Sequence, residues 1–203
     1  MFRFFESIAI LDNTPRNLYF HQLRVNKTFK YFYPGFEPFH LEYIIFNTQV
    51  NKYSKAKLKF SYNETSYKIN IIQYVAKIFN TFHLITDNSI EYKFKFIDRS
   101  LLDNHLKSYP INDQIMIIKN NLITDTQYSN LVFFDGYRWL TPKNPLLPGT
   151  MRASLLADWK IHEEIIELEH FANFHSFKLI NAMNTLEESY EYPMDKIQVQ
   201  KKH

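Results

Sequence analysis

The chain has 203 residues, enough for a sizeable core in one domain or two small ones, and it contains three glycines and no cysteine. So few glycines exclude a phosphate loop of the P-loop or dinucleotide-binding type, and the lack of cysteine excludes disulfides, a thiolate nucleophile and cysteine-ligated zinc. With 24 basic and 21 acidic residues, the net charge of +3 is too small to indicate nucleic-acid binding. Aromatic residues make up 17% of the chain, and the chain shows no membrane-length apolar run and no signal-peptide pattern. We therefore expect a soluble, cytoplasmic protein with an aromatic core.

The first third of the chain predicts a strand, a helix and a hairpin. Residues 2–10 form a mostly apolar, β-favouring run. Asn17 is a candidate N-cap for a helix over residues 18–31. Residues 55–74 alternate between apolar and polar side chains about a polar turn, which predicts a β-hairpin.

The middle of the chain predicts a further strand and a helix. Residues 90–96 alternate between aromatic and charged side chains, and residues 99–107 have a helical pattern. A strand over residues 90–96 places Lys93 and Lys95 on the same face, opposite the aromatic side chains. The pattern alone therefore does not distinguish the two lysines.

The second half of the chain predicts a β-meander followed by a helix. Residues 114–141 contain several short apolar runs, two of them joined by Asp135 and Gly136, a strong hairpin signal. After a proline-containing loop, Thr150 is a candidate cap for a helix over residues 151–159.

A boundary near residues 84–92 divides the chain into two α+β halves. We expect a small domain over residues 1–84 and a larger domain over residues 92–203. The lysine-rich tail from Lys196 is expected to be frayed.

Three features at the ends of predicted elements are candidates for acid–base or anion chemistry. The run 148–151 begins a predicted helix, whose N–H groups and dipole favour a phosphate. Lys95 offers an amine, and Asp125 offers a carboxylate just after a predicted strand. Each also has an ordinary structural explanation, namely a helix cap, a solvated lysine on an amphipathic strand and a turn aspartate. The stretch 162–164 and His170 match no metal-ligand spacing, so no metal is expected.

Short motifs in a consistent order carry a family resemblance. They are Phe5-Glu6-Ser7-Ile8, His21-Gln22-Leu23-Arg24, Lys95-Phe96-Ile97-Asp98-Arg99, the run from Ile123 to Leu131, the pair of runs 137–142 and 147–152, and Asn181-Ala182-Met183. Together they resemble the fold-type IV pyridoxal-phosphate enzymes, the class IV aminotransferase family. This family includes branched-chain and D-amino acid aminotransferases and aminodeoxychorismate lyase.

The resemblance implies an α+β fold of two domains, a small α+β domain and a larger, β-rich α/β domain. It also implies pyridoxal 5′-phosphate as the cofactor and a homodimer as the assembly. It identifies Lys95, and not Lys93, as the catalytic Schiff-base lysine, because Asp98-Arg99 follows Lys95 at the family's offset. It places Asp125 against the pyridine nitrogen. The remaining cofactor-binding residues that it implies are Arg24, Gly149, Thr150, Met151, Ala182 and Met183.

Two features depart from the family pattern. The usual acid is glutamate, whereas Asp125 is one methylene shorter. Family members also carry further strands before the motif that begins at Phe5, so the resemblance implies an N-terminally shortened fold.

Within the family, the closest resemblance is to short aminodeoxychorismate lyase-like members. The expected reaction releases pyruvate and 4-aminobenzoate, a folate precursor, from 4-amino-4-deoxychorismate. One alternative is an aminotransferase that acts on branched-chain or D-amino acids. A second alternative is a non-catalytic binding protein that retains the fold. In either enzyme the partner is a small amino substrate, with no nucleic acid or membrane involved.

Overall fold

The computed structural model describes residues 1–48 and 53–198, and the chain divides into two compact units. The first unit comprises the described residues of Met1–Ala76 together with Phe94–Asp98. The second comprises Lys77–Lys93 together with the described residues from Arg99 onward. The tail was expected to be frayed from Lys196, but Lys196 ends a 3₁₀ turn and Ile197–Gln198 form a strand, so that start is wrong. The tail beyond Gln198 lies outside the described residues.

The first unit is a four-stranded antiparallel sheet with two helices. The strand order in its described residues is β2-β1-β3-β4. Its elements are β1 (Phe4–Leu11), β2 (Thr14–Pro15), α1 (Leu18–Phe32), α2 (Leu41–Phe46), β3 (Lys55–Tyr62) and β4 (Tyr67–Gln73). The predicted strand, helix and hairpin are thereby confirmed, whereas α2 was not predicted.

An aromatic core lies between this sheet and the helices. Phe29 of α1 stacks on Tyr62 of β3 with the ring centroids 5.9 Å apart, and both side chains are buried. Alternate residues of β3 are buried, as the period of the hairpin predicts. The helix α1 begins after Asn17 as expected, but Asn17 adopts a left-handed conformation (φ 55°) and makes no side-chain capping bond. The predicted N-cap position is therefore confirmed, without a side-chain capping bond from Asn17.

The strand predicted over residues 90–96 is not formed. Within this stretch only Phe96 makes a bridge, to Phe4 at the start of β1. The backbone N–H of Phe5 donates to the carbonyl of Lys95 at 3.1 Å, which extends this contact by one residue. Phe94 and Phe96 pack on the first core, as the alternation predicts, whereas Tyr92, predicted for the same face, belongs to the second unit. The alternation also did not identify a pairing partner.

The second unit contains a nine-stranded sheet in its described residues. The main path runs β10-β9-β8-β7-β6-β5-β13, and β11 joins β8 and β12 beside it. The elements are β5 (Phe82–Thr86), α3 (Ser100–Leu106), β6 (Gln114–Lys119), β7 (Leu122–Thr126), β8 (Asn130–Phe134), β9 (Trp139–Pro142), α4 (Thr150–Ala157), β10 (His162–Glu164), β11 (Ser176–Ile180), β12 (Glu191–Pro193) and β13 (Ile197–Gln198). Two 3₁₀ turns lie at Phe171–Asn173 and Met194–Lys196.

The predicted meander is confirmed as β6 to β9, and the helix after residue 99 as α3. The helix α4 begins at Thr150 with Gly149 in the N-cap position. Thr150 is therefore the first helical residue, and its predicted role as the cap is wrong. The strand β5 was not predicted, because a short apolar run does not by itself distinguish strand from helix.

The division into units differs from the predicted boundaries of 1–84 and 92–203. Residues 77–84 lie in the second unit because β5 pairs in parallel with β6. The segment 94–98 lies in the first unit because it contacts β1. The fold class is the expected mixture of a small α+β unit and a larger β-rich unit. Within the described residues, no helix is long and apolar enough to cross a membrane.

Candidate active site

A buried carboxylate in the first unit binds two side chains of α1. Glu6 of β1 is fully buried, and its Oε2 accepts a hydrogen bond from Nδ1 of His21 at 2.6 Å. Nε of Arg24 donates to Oε1 at 2.8 Å, and Nη2 of Arg24 donates to Oε2. Glu6 therefore accepts hydrogen bonds from two of the five N–H donors of the guanidinium. These two bonds fix the orientation of the guanidinium plane.

The charges of this cluster follow from its burial and hydrogen bonds. Burial alone would raise the pKa of Glu6, but the charge of Arg24 and the hydrogen bonds from His21 and Arg24 lower that pKa to about 2. Burial lowers the pKa of His21, although its bond to Glu6 opposes this. At neutral pH, Glu6 is thus ionised and His21 is neutral. Because an ionised carboxylate only accepts hydrogen bonds, Nδ1 of His21 carries the proton.

Lys95 acts on this cluster through its charge. Its Nζ is 4.8 Å from the centroid of the Phe5 ring, and its positive charge is among the causes that lower the pKa of His21. Lys93 differs clearly, because its side chain is 78% exposed and pairs with Glu91 at 3.9 Å. The structure therefore distinguishes two lysines that the alternation left equivalent.

A second buried carboxylate lies in the second unit. Asp125 is 3% exposed and lies within β7, not just past its end as expected, so the explanation as a turn aspartate is wrong. Its Oδ1 accepts from Nδ2 of Asn130 at 2.7 Å, and its Oδ2 accepts from the backbone N–H of Leu147 at 2.9 Å. Burial raises the pKa of Asp125 to about 6, against the lowering effect of these bonds and of the Arg152 charge.

The helix α4 begins beside this carboxylate. Nδ2 of Asn130 also donates to the carbonyl of Leu147 at 2.9 Å, two residues before Gly149. A Cβ on Gly149 would lie 2.1 Å from Oδ1 of Asn130, so only glycine fits there without a shift. Thr150 and Met151, the first two helical residues, are buried. The N-cap residue, Gly149, has no side chain to cap the helix, and the N-terminal end of a helix suits an anion.

The late motif forms a turn that is anchored to the residue before Asn130. Nδ2 of Asn181 donates to Oγ of Ser129 at 2.9 Å, and its Oδ1 accepts from the backbone N–H of Met183 at 2.8 Å. Met183 is buried, whereas Ala182 is partly exposed. Asn130 and Ser129 therefore bind the loop before α4 and the turn at residues 181–183, respectively, at the start of β8.

The residues considered for metal binding lie at the surface. His170 pairs with Glu167 at 3.3 Å, and both side chains are largely solvated. Glu167, Glu169 and His170 place one ligand atom each within 4.8 Å of one another. Exposed ion pairs of this kind are common on protein surfaces and by themselves indicate no metal.

The structure groups the predicted site residues within each unit. Arg24 and Lys95 lie in the first unit, and the other six lie in the second: Asp125, Gly149, Thr150, Met151, Ala182 and Met183. Four further residues of the sites have no role predicted from the sequence, although each stands in one of the family motifs: Glu6, His21, Ser129 and Asn130. The sequence does carry an indication for Glu6, because this charged residue stands inside an apolar strand run. Burying a charged side chain is costly unless it is paired, which indicates a partner.

Comparison with known proteins identifies the family. Residues 93–186 match the model of the class IV aminotransferase family. An uncharacterised protein of Haemophilus influenzae is 35% identical over 188 residues, covering 92% of this chain and 100% of that protein. The structure of a candidate 4-amino-4-deoxychorismate lyase from Haemophilus somnus is 36% identical, with a TM-score of 0.84, over 92% of this chain and 98% of that one.

A more distant structure extends the likeness of fold. The 4-amino-4-deoxychorismate lyase of Pseudomonas aeruginosa has a TM-score of 0.68 at 15% identity, over 94% of this chain and 81% of that chain. At this identity the likeness concerns the fold alone. The Haemophilus relatives, in contrast, combine more than 30% identity with nearly full coverage. The chain belongs to the class IV aminotransferase family.

Proposed function

We propose that this protein is a pyridoxal-phosphate enzyme with 4-amino-4-deoxychorismate lyase activity, releasing pyruvate and 4-aminobenzoate. The observation that carries the proposal is the 36% identity to the Haemophilus somnus candidate lyase over 98% of that chain. The two folds are also similar over the aligned 92% of this chain, with a TM-score of 0.84. Members of the class IV aminotransferase family use pyridoxal phosphate.

The side chains described above suit this cofactor. Pyridoxal phosphate presents an aldehyde, a pyridine nitrogen and a dianionic phosphate, which need an amine, an acid and strong donors. We assign the amine to Lys95 and the acid to Asp125. Arg24 and the start of α4 at Gly149 and Thr150 supply the donors. The start of α4 is consistent with this assignment, since Asn130 occupies the space that a Cβ at Gly149 would need and so keeps the backbone there bare.

The neighbouring residues complete the assignment. Met151 follows Thr150 in the first turn of α4, and Ala182 and Met183 form the turn that Ser129 anchors. We assign these three residues to the walls of the cofactor site. The pair of Glu6 and His21 keeps Arg24 in one orientation, so the guanidinium is preorganised for phosphate.

Lys95 and Asp125 control the positions of protons in the proposed reaction. The bound cofactor supplies an electron sink for the charge that develops at the α-carbon of the substrate. Nζ of Lys95 takes the α-proton as a general base and relays a proton as pyruvate leaves. Asp125, when ionised, favours a proton on the pyridine nitrogen through its charge. Its burial strengthens this interaction, because the local dielectric constant is low.

The experiment compares two reactions in the purified protein. Single-turnover assays with 4-amino-4-deoxychorismate follow pyruvate and 4-aminobenzoate, and a panel of L- and D-amino acids with 2-oxoglutarate tests transamination. Asp125→Asn, which keeps the size and removes the charge, should retain the cofactor and slow turnover by about a hundredfold or more, at about 1.4 kcal/mol per tenfold.

The outcomes separate the candidate functions. Release of pyruvate supports the lyase function. Turnover of amino acids alone would instead support the aminotransferase function. A protein that binds no cofactor and turns over neither class is a binding protein that retains the fold. Light scattering tests the homodimer that we propose from the family.

A further inference from the structure

One face of the four-stranded sheet carries a row of lysines. In β3 the core side chains alternate with Lys55, Lys57 and Lys59, which point away from the helices and are partly exposed. Ser7 of β1 is the register partner of Lys59, so β1 directs its own alternate residues, Phe5 among them, to this same face. The face therefore combines aromatic and cationic side chains.

Two ammonium groups meet at one aromatic ring on this face. Nζ of Lys59 lies 5.0 Å from the centroid of the Phe5 ring, and Nζ of Lys95 lies 4.8 Å from the same centroid. Lys95 reaches the ring from the segment beside β1, whereas Lys59 reaches it from β3 on the other side of β1. The ring thus holds a second cation next to the proposed catalytic amine.

Lys59 has no acidic register partner on this face. Its register partners on this face are Ser7 of β1 and Asn70 of β4, both uncharged. Among the described residues, no carboxylate forms an ion pair with Lys59. Glu6, the acid of β1, lies on the opposite face and is bound by His21 and Arg24. A cation in this position attracts an anionic ligand more than a structural partner.

We propose that Lys59 binds a carboxylate of the substrate beside Lys95, with the Phe5 ring as the apolar surface next to it. The inference rests on the proposed function, because that function makes Lys95 the amine at which the substrate reacts. It adds a specificity-determining residue to that function, namely Lys59 as the cation that pairs with a carboxylate of the amino substrate. A carboxylate there would also neutralise the charge of Lys59, whose register partners are uncharged.

The test measures binding of a carboxylate and of its neutral counterpart. Purified, cofactor-loaded protein is titrated by calorimetry with 4-aminobenzoate and with 4-aminobenzamide, which differ in charge and little in shape. Lys59→Ala should weaken 4-aminobenzoate binding about tenfold and leave the amide within about twofold, since it removes one charge-assisted contact. Lys59→Arg should restore most of the affinity.

A matched control removes the same charge elsewhere in the unit. Lys30 is exposed in the last turn of α1, on the helical side of the sheet, so Lys30→Ala should bind both compounds as the unchanged protein does. In steady-state assays, Lys59→Ala should raise KM for 4-amino-4-deoxychorismate about tenfold and change kcat little, as expected when a binding contact is lost.

Two results would overturn the proposal. One is equal affinity for 4-aminobenzoate in Lys59→Ala and Lys30→Ala. The other is an equal loss for carboxylate and amide, which would make Lys59 a packing residue only. Failure of the proposed function is recognised separately, because the unchanged protein would then hold no cofactor, or would turn over amino acids and not 4-amino-4-deoxychorismate. The same pair of titrations on the protein as purified would still decide whether Lys59 binds a carboxylate.

Discussion

The side-chain amide of Asn130 donates to the carboxylate of Asp125 at 2.7 Å and, through the same nitrogen, to the carbonyl of Leu147 at 2.9 Å. One buried side chain therefore fixes the acid of β7 and the loop that leads into α4. Its Oδ1 faces Gly149, where a Cβ would come within 2.1 Å. The backbone of Gly149 is extended (φ −71°, ψ 149°), so the need for glycine comes from this contact and not from its backbone conformation.

This contact predicts that Gly149→Ala is destabilising. The added methyl group displaces Asn130, which leaves the buried Asp125 carboxylate with a weakened partner, at a cost of about 2–3 kcal/mol. Chemical denaturation of the apoprotein measures the change. Asn130→Ala removes the obstacle, so adding Gly149→Ala to that variant should cost much less than in the parent. Additive losses in the double variant would contradict the contact as the cause.

Asp125 predicts a pH dependence of stability in the apoprotein. Its pKa in the folded chain is raised to about 6 from 3.8, so between these values the folded state binds more protons than the unfolded state. The free energy of unfolding should therefore fall by about 3 kcal/mol as pH rises from about 4 to about 6, and stay level above that range.

Asp125→Asn should lose this dependence. The difference in unfolding free energy between the parent and this variant, measured by urea titration at several pH values, isolates the Asp125 contribution. Glu6 has the opposite sign, because its folded pKa is lowered to about 2 and its stabilisation is lost below pH 4.5. Glu6 is present in both proteins and cancels. A difference that does not change with pH would contradict the prediction.

Arg24→Ala should both weaken cofactor binding and destabilise the fold. A charged donor to phosphate contributes about 1.5–3 kcal/mol, which corresponds to roughly ten- to a hundredfold in affinity. The loss of stability, about 3–5 kcal/mol, arises because the buried Glu6 carboxylate keeps only His21 as a partner. Equilibrium dialysis of the cofactor and urea denaturation measure the two effects.

A second variant separates these two roles of Arg24. Glu6→Gln combined with Arg24→Ala leaves no unpaired charge, so it should recover part of the stability and none of the cofactor affinity. Recovery of both would show that Arg24 acts on the cofactor only through the fold. Unchanged cofactor affinity in Arg24→Ala would remove this residue from the phosphate site.

Lys95→Ala should abolish covalent attachment of pyridoxal phosphate, whereas Lys93→Ala should leave it intact. Lys95 lies beside Phe5 and the Glu6 cluster, and Lys93 is solvated and paired with Glu91. Mass spectrometry after borohydride reduction locates the modified lysine. An adduct on Lys93, or none on either residue, would contradict the assignment.

The elements that depend on local pattern are predictable from the amino-acid sequence alone. The alternation of residues 55–74 and the turn at Asp135 and Gly136 predicted hairpins that the structure contains. The order of the motifs along the chain was enough for the family, because each motif encodes a residue type at a chain position and needs no knowledge of packing. Short elements such as α2 and β5 escaped prediction, since six apolar residues or fewer suit a helix and a strand equally.

Only the tertiary structure decided which polar groups share a buried environment. Glu6 meets Arg24 across 18 residues of chain, and Asp125 meets Leu147 across 22. Lys59 and Lys95 meet at Phe5 because β1 lies between their two segments. Periodicity specifies the face on which a side chain lies, but not the neighbour across the sheet. The charge state of a buried carboxylate depends on that neighbour, because burial raises its pKa and only a specific donor or cation lowers it.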